Sequence, residues 1–329
     1  MNNSKIAVVT GANGFVGSHL VDLLLEKNYQ VRCIIRKTSN LQWLKGKNVE
    51  IFNCGLLDRD GVRKAFQNVN YIFHVAGVVK AKSPEGYFKG NVENTRALLE
   101  VAVEFNTLKR FVILSSQTVS GPSEDERPVN EDDSPNPITT YGRSKLAQEN
   151  VAKEFMDRIP ITIVRAPAVY GERDTEIFIF FRTFSKGLFT TIGLDKKLIS
   201  LIHVVDLVRG TLMAAENPSA AGKTYFISSE KFHTWEEIGD VSKKIMKKKP
   251  IHVKVPHFIV FFIAAIAQFL ALFSKKPATL NIEKAKDITR HAWICSTEKA
   301  VKELGYHQEI PVEEGIRRTV NWYKEQHWL

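Results

Sequence analysis

With 329 residues, 44% hydrophobic and 25% charged, the chain has ample length for one large domain or two unequal ones, and its composition is that of a folded globular protein. The formal charge of +10 is spread along the chain without a nucleic-acid module or a clear basic-aromatic stripe, which excludes nucleic acid as the expected partner. Three cysteines, Cys33, Cys54 and Cys295, have no metal-like spacing; no metal site is expected, and free thiols fit a reducing compartment.

The chain opens on a strand-like run (KIAVVT, 5–10) with no charged-then-apolar leader, which predicts no secretory signal and a cytoplasmic protein. Further β-rich runs follow at 30–36, 49–54, 71–77, 110–116 and 161–167. Between the first two, Val16, Leu20, Leu23 and Leu24 recur on one helix face; before the fifth, Thr95, Leu98, Leu99 and Ala102 do the same. Strand, helix, strand repeated in this way predicts an α/β fold, a doubly wound parallel sheet with right-handed crossovers and its ligand at the carboxyl ends of the strands.

The turn after the first strand reads TGANGFVG. Gly11, Gly14 and Gly17 allow a tight turn, close approach of a pyrophosphate and helix–strand packing, while the helix N-terminus offers N–H groups to phosphate. Gly11, Asn13, Gly14, Phe15, Val16 and Gly17 are therefore the candidate phosphate-loop residues of a Rossmann dinucleotide site. The second strand ends without the acid that would accept from an NAD ribose; Arg36, Lys37 and Ser39 stand there instead. A guanidinium suits a 2′-phosphate, so NADP(H) is favoured, with NAD(H) as the alternative.

After about residue 171 the strand–helix rhythm breaks into an aromatic-rich, irregular-looking stretch (177–189), returns at 198–215 and 224–229, and is mostly helical from 230 onward. The expected organisation is a nucleotide-binding lobe over 1–171, completed by about 201–229, and a smaller, mostly helical substrate lobe from 172–200 and 230–329. Within the latter, 258–273 holds sixteen residues with one polar member, Gln268. Lys247, Lys248 and Lys249 precede it and Lys275 and Lys276 follow. It is short for a membrane span. Two readings stand: a buried helix, or a membrane-facing or substrate-gating one. The lysine flanks favour the second, with peripheral membrane contact through 247–276.

The fifth strand ends LSSQTVSG, and YGRSK opens the next helical segment with Tyr141 and Lys145 four residues apart. Together with the TGxxGxxG turn, YIFHVAG, NVENT (91–95), RAPAVYG (165–171) and WICSTEKAVKELGY, this set resembles the extended short-chain dehydrogenases/reductases. The similarity is nearest to their 3β-hydroxysteroid dehydrogenase, dihydroflavonol reductase and hopanoid-associated branches, and it covers essentially the whole chain. The resemblance implies Ser116, Tyr141 and Lys145 as the catalytic set, with Ser115 the competitor for the serine, and Asn91 on a proton path or merely capping a helix. It also implies cofactor contacts from Leu56, Ala76, Gly77, Tyr141, Lys145, Pro167, Ala168 and Val169, while His203 and Asp206 tie the returning segment to the sheet. One departure is Gly55, where the family often places an adenine-binding Asp. An ammonium ~4 Å from the phenol would contribute ~4 kcal/mol at an effective dielectric of 20, lowering the tyrosine pKa by roughly three units.

The activity so implied is interconversion of a ketone and a secondary alcohol on a hydrophobic, lipid-like or polycyclic substrate. A nucleotide-sugar epimerase or dehydratase is the alternative, and a non-catalytic nucleotide-binding membrane-associated factor the second. The resemblance leaves a homodimer open.

Overall fold

The computed structural model describes residues 5–274, 278 and 280–329. The β-rich runs form the strands of the nucleotide lobe: β1 (Ile6–Thr10), β2 (Gln30–Ile35), β3 (Val49–Asn53), β4 (Tyr71–His74), β5 (Arg110–Ser116) and β6 (Ile161–Ala166). Between them lie α1 (Phe15–Glu26), α2 (Arg59–Ala65), α3 (Pro84–Phe88), α4 (Asn94–Ala102) and α5 (Thr140–Lys153), with one π-helical turn at Lys89–Glu93. β7 (Ala168–Tyr170), α6 (Phe178–Ser185), β8 (Leu188–Ile192), β9 (Leu198–His203), α7 (Val204–Glu216) and β10 (Thr224–Phe226) follow. The C-terminal part contains β11 (Phe232–Thr234), α8 (Trp235–Met246), β12 (Ile251–Val255), α9 (His257–Ala271), α10 (Ile282–Ile288), β13 (Ala292–Trp293), α11 (Glu298–Leu304) and α12 (Val312–Glu325).

The main sheet runs β3-β2-β1-β4-β5-β6-β10 and is parallel throughout. Its central strands β1, β4, β5 and β6 are buried on both faces, which explains their near-continuous apolar content. One face packs Leu20, Val21 and Leu24 of α1 and Leu207, Val208 and Leu212 of α7. The other packs Val62 of α2, Leu98 and Leu99 of α4 and Val151 of α5. The strand order reverses between β1 and β4, so the crevice for a ligand lies at their carboxyl ends.

The smaller lobe has its own aromatic core, in which Phe181, Phe184, Phe189, Ile238, Ile316, Val320 and Tyr323 are buried. It holds more strand than a mostly helical reading expects. β9 pairs with β7, β11 and β13 in a second sheet, and β8 pairs with β12 in a two-stranded ribbon. Thus residues 201–203 lie in the second sheet while 224–226 join the main one. The stretch at 177–189 is not irregular: α6 buries Phe181 and Phe184 on one face and runs into β8.

Candidate active site

The first turn is built by close backbone approach. Gly11 has φ +69°, and a Cβ there would stand 2.8 Å from the Ala76 amide nitrogen. Gly14 N–H donates to the Gly11 carbonyl at 2.9 Å, and a Cβ on Gly17 would come within 2.1 Å of that same oxygen. α1 therefore starts directly over the turn, capped by Gly14 with no side-chain hydrogen bond and no acid in its first turn. Its leading N–H groups and positive dipole end are left for an anion. Asn13, Phe15 and Val16 are half-buried at this turn. Ala76 N–H donates to Thr10 Oγ1 at 3.2 Å, joining the ends of β1 and β4.

At the end of β2, Arg36 and Lys37 are exposed and Ser39 half-buried; neither cation forms an ion pair among the described residues. Leu56 packs, half-buried, against the core beneath α2. Next to it a Cβ on Gly55 would meet nothing within 4 Å, so the space beside it is open. Gly77 faces Lys145, whose Nζ would lie 3.9 Å from a Cβ there. A side-chain-free cradle and an uncapped helix N-terminus fit the pyrophosphate of a dinucleotide, and two uncommitted cations stand at the end of β2.

α5 delivers the chemistry. Thr139 caps it, accepting from Gly142 N–H at 3.1 Å. Tyr141, Ser144, Lys145 and Gln148 then follow at helical spacing on one face. Burial pushes the Tyr141 phenol up to about 12; the nearby Ser116 side chain pulls it the other way, while Tyr87 and Asp287 add to the rise. Tyr87 stands 6.4 Å away, ring centre to ring centre.

The acidified phenol expected from Lys145 is thus not what this arrangement holds. The ammonium points inward, donating to the Leu114 carbonyl at 2.7 Å and to Gln148 Oε1. Burial lowers its own pKa to about 8, opposed by Glu149.

The two serines at the end of β5 have different surroundings because adjacent strand residues point to opposite faces. Ser115 is buried and donates to Glu149 Oε1 at 2.5 Å; that carboxylate also holds Arg165 through two nitrogens at 3.0 and 2.7 Å. Ser116 is half-buried, accepts from Thr118 N–H and Oγ1 at 3.2 and 2.9 Å, and is the serine near enough to Tyr141 to oppose the rise in its pKa. Asn91 is buried in the π-helical turn. It accepts from Val78 N–H at 2.7 Å and donates to Ser144 Oγ at 2.9 Å, so it braces the loop after β4 against α5. Pro167, Ala168 and Val169 lie at the β6–β7 junction, partly exposed. His203 caps α7, accepting from Val205 N–H at 3.4 Å. Asp206 accepts from Glu309 and Ile310 N–H at 3.1 and 2.9 Å, tying down the segment before α12.

Sequence reasoning missed the chain beneath Lys145. Gln148 donates to Thr95 Oγ1 at 2.7 Å, which meets His74 Nε2 at 2.9 Å; His74 Nδ1 meets Thr10 Oγ1 at 2.8 Å. His74 is fully buried and its pKa falls to about 3, from burial and then the Lys145 charge, so it is neutral. The available signal was the polar face of α5, which a helix packed on a sheet would otherwise fill with apolar residues. No cluster of His, Cys, Asp or Glu able to hold a metal occurs among the described residues.

Residues 7–228 match the model of the NAD dependent epimerase/dehydratase family. The chain is 24% identical over 324 residues to a ceramide reductase of Caulobacter vibrioides, covering 98% of this chain and 96% of that protein. It is 25% identical over 338 residues to a mouse (Mus musculus) decarboxylating sterol-4-alpha-carboxylate 3-dehydrogenase, covering 97% and 91%. Its fold is similar to that of a Bacillus cereus UDP-glucuronic acid 4-epimerase solved with UDP-glucuronic acid and NAD, at a TM-score of 0.78 and 23% identity, covering 98% of this chain and 99% of the other.

Proposed function

The chain belongs to the NAD dependent epimerase/dehydratase family and is an NAD(P)-dependent enzyme of the short-chain dehydrogenase/reductase type, and on that premise we propose that it interconverts a ketone and a secondary alcohol on a hydrophobic, lipid-like or polycyclic substrate, using NADP(H). The observation that carries the reading is the placement of Tyr141 and Lys145 on one face of α5, packed on β5, with Ser116 ending that strand close to Tyr141. The relatives named for ceramide and sterol substrates support a greasy substrate.

Gly11, Asn13, Gly14, Phe15, Val16 and Gly17 would hold the pyrophosphate. Arg36, Lys37 and Ser39 would hold the 2′-phosphate, with Leu56, Ala76 and Gly77 along the adenosine side. Tyr141, Lys145 and Pro167 to Val169 would hold the nicotinamide end. When bound, the cofactor supplies a hydride to the carbonyl carbon or accepts one from the alcohol carbon. Ser116 donates a hydrogen bond to the substrate oxygen and keeps it beside Tyr141 Oη. In reduction, Tyr141 passes its phenolic proton to that oxygen. Lys145, held inward at Leu114 and Gln148, would turn toward Tyr141 to restore the phenol's proton. Asn91 holds Ser144, and through it the first turn of α5, in place.

Tyr141→Phe should abolish ketone-dependent NADPH oxidation while weakening nucleotide binding by no more than about tenfold in fluorescence titration, since the ring is kept and at most one hydrogen bond is lost. Retained turnover would refute the assignment. The epimerase alternative predicts no net change in nicotinamide absorbance when substrate is converted.

A further inference from the structure

α9 shows an unusual distribution of apolar surface. Of its residues only Val260 and Ala264 are buried; they pack on Ala285 of α10, with Ile192, Val255 and Ile288 around them. Its other face is exposed: Phe258 at 73%, Phe262 at 65%, Phe269 at 61%, with Ile263, Ile266 and Leu270 between them. Leu272 and Phe273, just past its end, are exposed too. Gln268, the polar member of the stretch, accepts from Ile282 N–H at 3.1 Å. The apolar surface continues onto the ribbon. Leu188, Ile251 and Val253 are exposed on the ribbon face whose far end, Ile192 and Val255, lies under α9. Soluble surfaces rarely leave so many large apolar side chains contiguous without a partner for them.

The rim is basic. Lys244, Lys247, Lys248 and Lys249 are exposed just before β12 and enter no ion pair among the described residues; Lys275 and Lys276 lie outside the described residues. Among the described residues no helix is long and apolar enough to cross a membrane.

The patch also adjoins the site. Glu283 of α10 accepts from Thr140 N–H at 3.0 Å and from Thr140 Oγ1 at 2.8 Å, directly before Tyr141. Lys82, on the loop leading to Tyr87, donates to the Ser274 carbonyl just past α9.

We propose that the outer face of α9 and the adjoining β8–β12 ribbon form a docking surface for an anionic phospholipid bilayer, on which α9 lies in the interface plane with the mouth of the site beside it. The apolar face enters the acyl boundary while the lysine run meets phosphate headgroups. A second copy of this chain fits less well, because it would bring the same cationic rim against itself. That the bilayer is also the source of substrate rests on the hydrophobic-substrate reading; the docking itself does not.

The test is co-sedimentation of the full chain with phosphatidylcholine vesicles, with and without phosphatidylglycerol, at low and high salt. The wild type should pellet with the anionic vesicles and be released by salt. Phe262→Ser with Ile266→Ser should lower partitioning at least tenfold, and Lys247→Glu with Lys248→Glu and Lys249→Glu should abolish the preference for anionic lipid. Both variants should keep wild-type turnover of a small water-soluble ketone. Equal recovery in the supernatant with and without vesicles overturns the proposal. So does a lipid-free wild-type dimer by light scattering that the serine variant converts to monomer, since a second copy then covers the face. If vesicles bind but lipid ketones are not reduced, docking stands and the substrate reading fails.

Discussion

Lys145 is 3% exposed, and its burial gives a measurable stability signature. Its pKa falls from 10.5 to about 8 on folding, so the folded protein holds this proton less tightly than the unfolded chain. The sign follows: a depressed lysine opposes folding fully below pH 8, and the penalty is relieved as pH rises from 8 toward 10.5. Integrating between those two values, the penalty is about 3 kcal/mol at pH 7 and about 1 kcal/mol at pH 10. Lys145→Met removes the titration while keeping a long apolar stem. Urea unfolding of wild type and variant at pH 7, 8, 9 and 10 should show the wild type gaining about 2 kcal/mol relative to the variant, a midpoint difference on the order of 1 M. Other titrating groups cancel in the difference. Stability curves that stay parallel from pH 7 to 10 would show that Lys145 is not desolvated and hydrogen-bonded at Leu114 and Gln148 as found here.

Four other outcomes are expected. Ser116→Ala should lower kcat by a hundredfold or more, whereas Ser115→Ala should keep turnover and cost ~1 kcal/mol of stability in denaturant titration. Arg165→Met strands the fully buried Glu149 carboxylate and should destabilise the fold by about 3–5 kcal/mol, read in the same titration. Arg36→Ala should raise the KM for NADPH roughly 10- to 100-fold and leave that for NADH within about twofold, since a charge-assisted contact to phosphate is lost. Because burial pushes Tyr141 up to about 12, alcohol oxidation should accelerate about tenfold per pH unit from 7 to 9, while ketone reduction stays flat until Lys145 loses its proton near pH 8; stopped-flow single turnovers in each direction measure both.

The main sheet was legible because its first six strands are short apolar runs, most of them separated by helical segments, and buried parallel strands need nothing more specific. The glycine turn was legible for a related reason: Gly11 needs a positive φ, and Gly17 has no room for a Cβ. The ribbon strand β12 was not read, although Ile251, Val253 and Val255 alternate with His252 and Lys254; five residues beside a lysine run give too little pattern to separate a strand from a loop. α6 was hidden by its aromatic density, which masks helical spacing where two faces are both partly covered. The direction of Lys145 was beyond sequence altogether. Spacing puts it on the Tyr141 face, but Leu114 O and Gln148 Oε1 decide where the ammonium goes, and only the packing of α5 on β5 brings that carbonyl within reach.

That direction has a consequence for which way the reaction runs. A phenol at about 12 keeps its proton at pH 7, and making it a base there costs roughly 7 kcal/mol, at 1.4 kcal/mol per unit. An ammonium brought to ~4 Å would offset roughly 4 kcal/mol of this at an effective dielectric of 20. The arrangement found here therefore needs no adjustment for Tyr141 to act as an acid, and needs both a lysine movement and further positive charge for it to act as a base. Arg36 and Lys37, uncommitted at the end of β2, suit the phosphorylated cofactor that a reductase uses. Under the proposed activity, two features far apart in the chain, an inward lysine and a basic strand end, would both serve the reduction of ketone to alcohol.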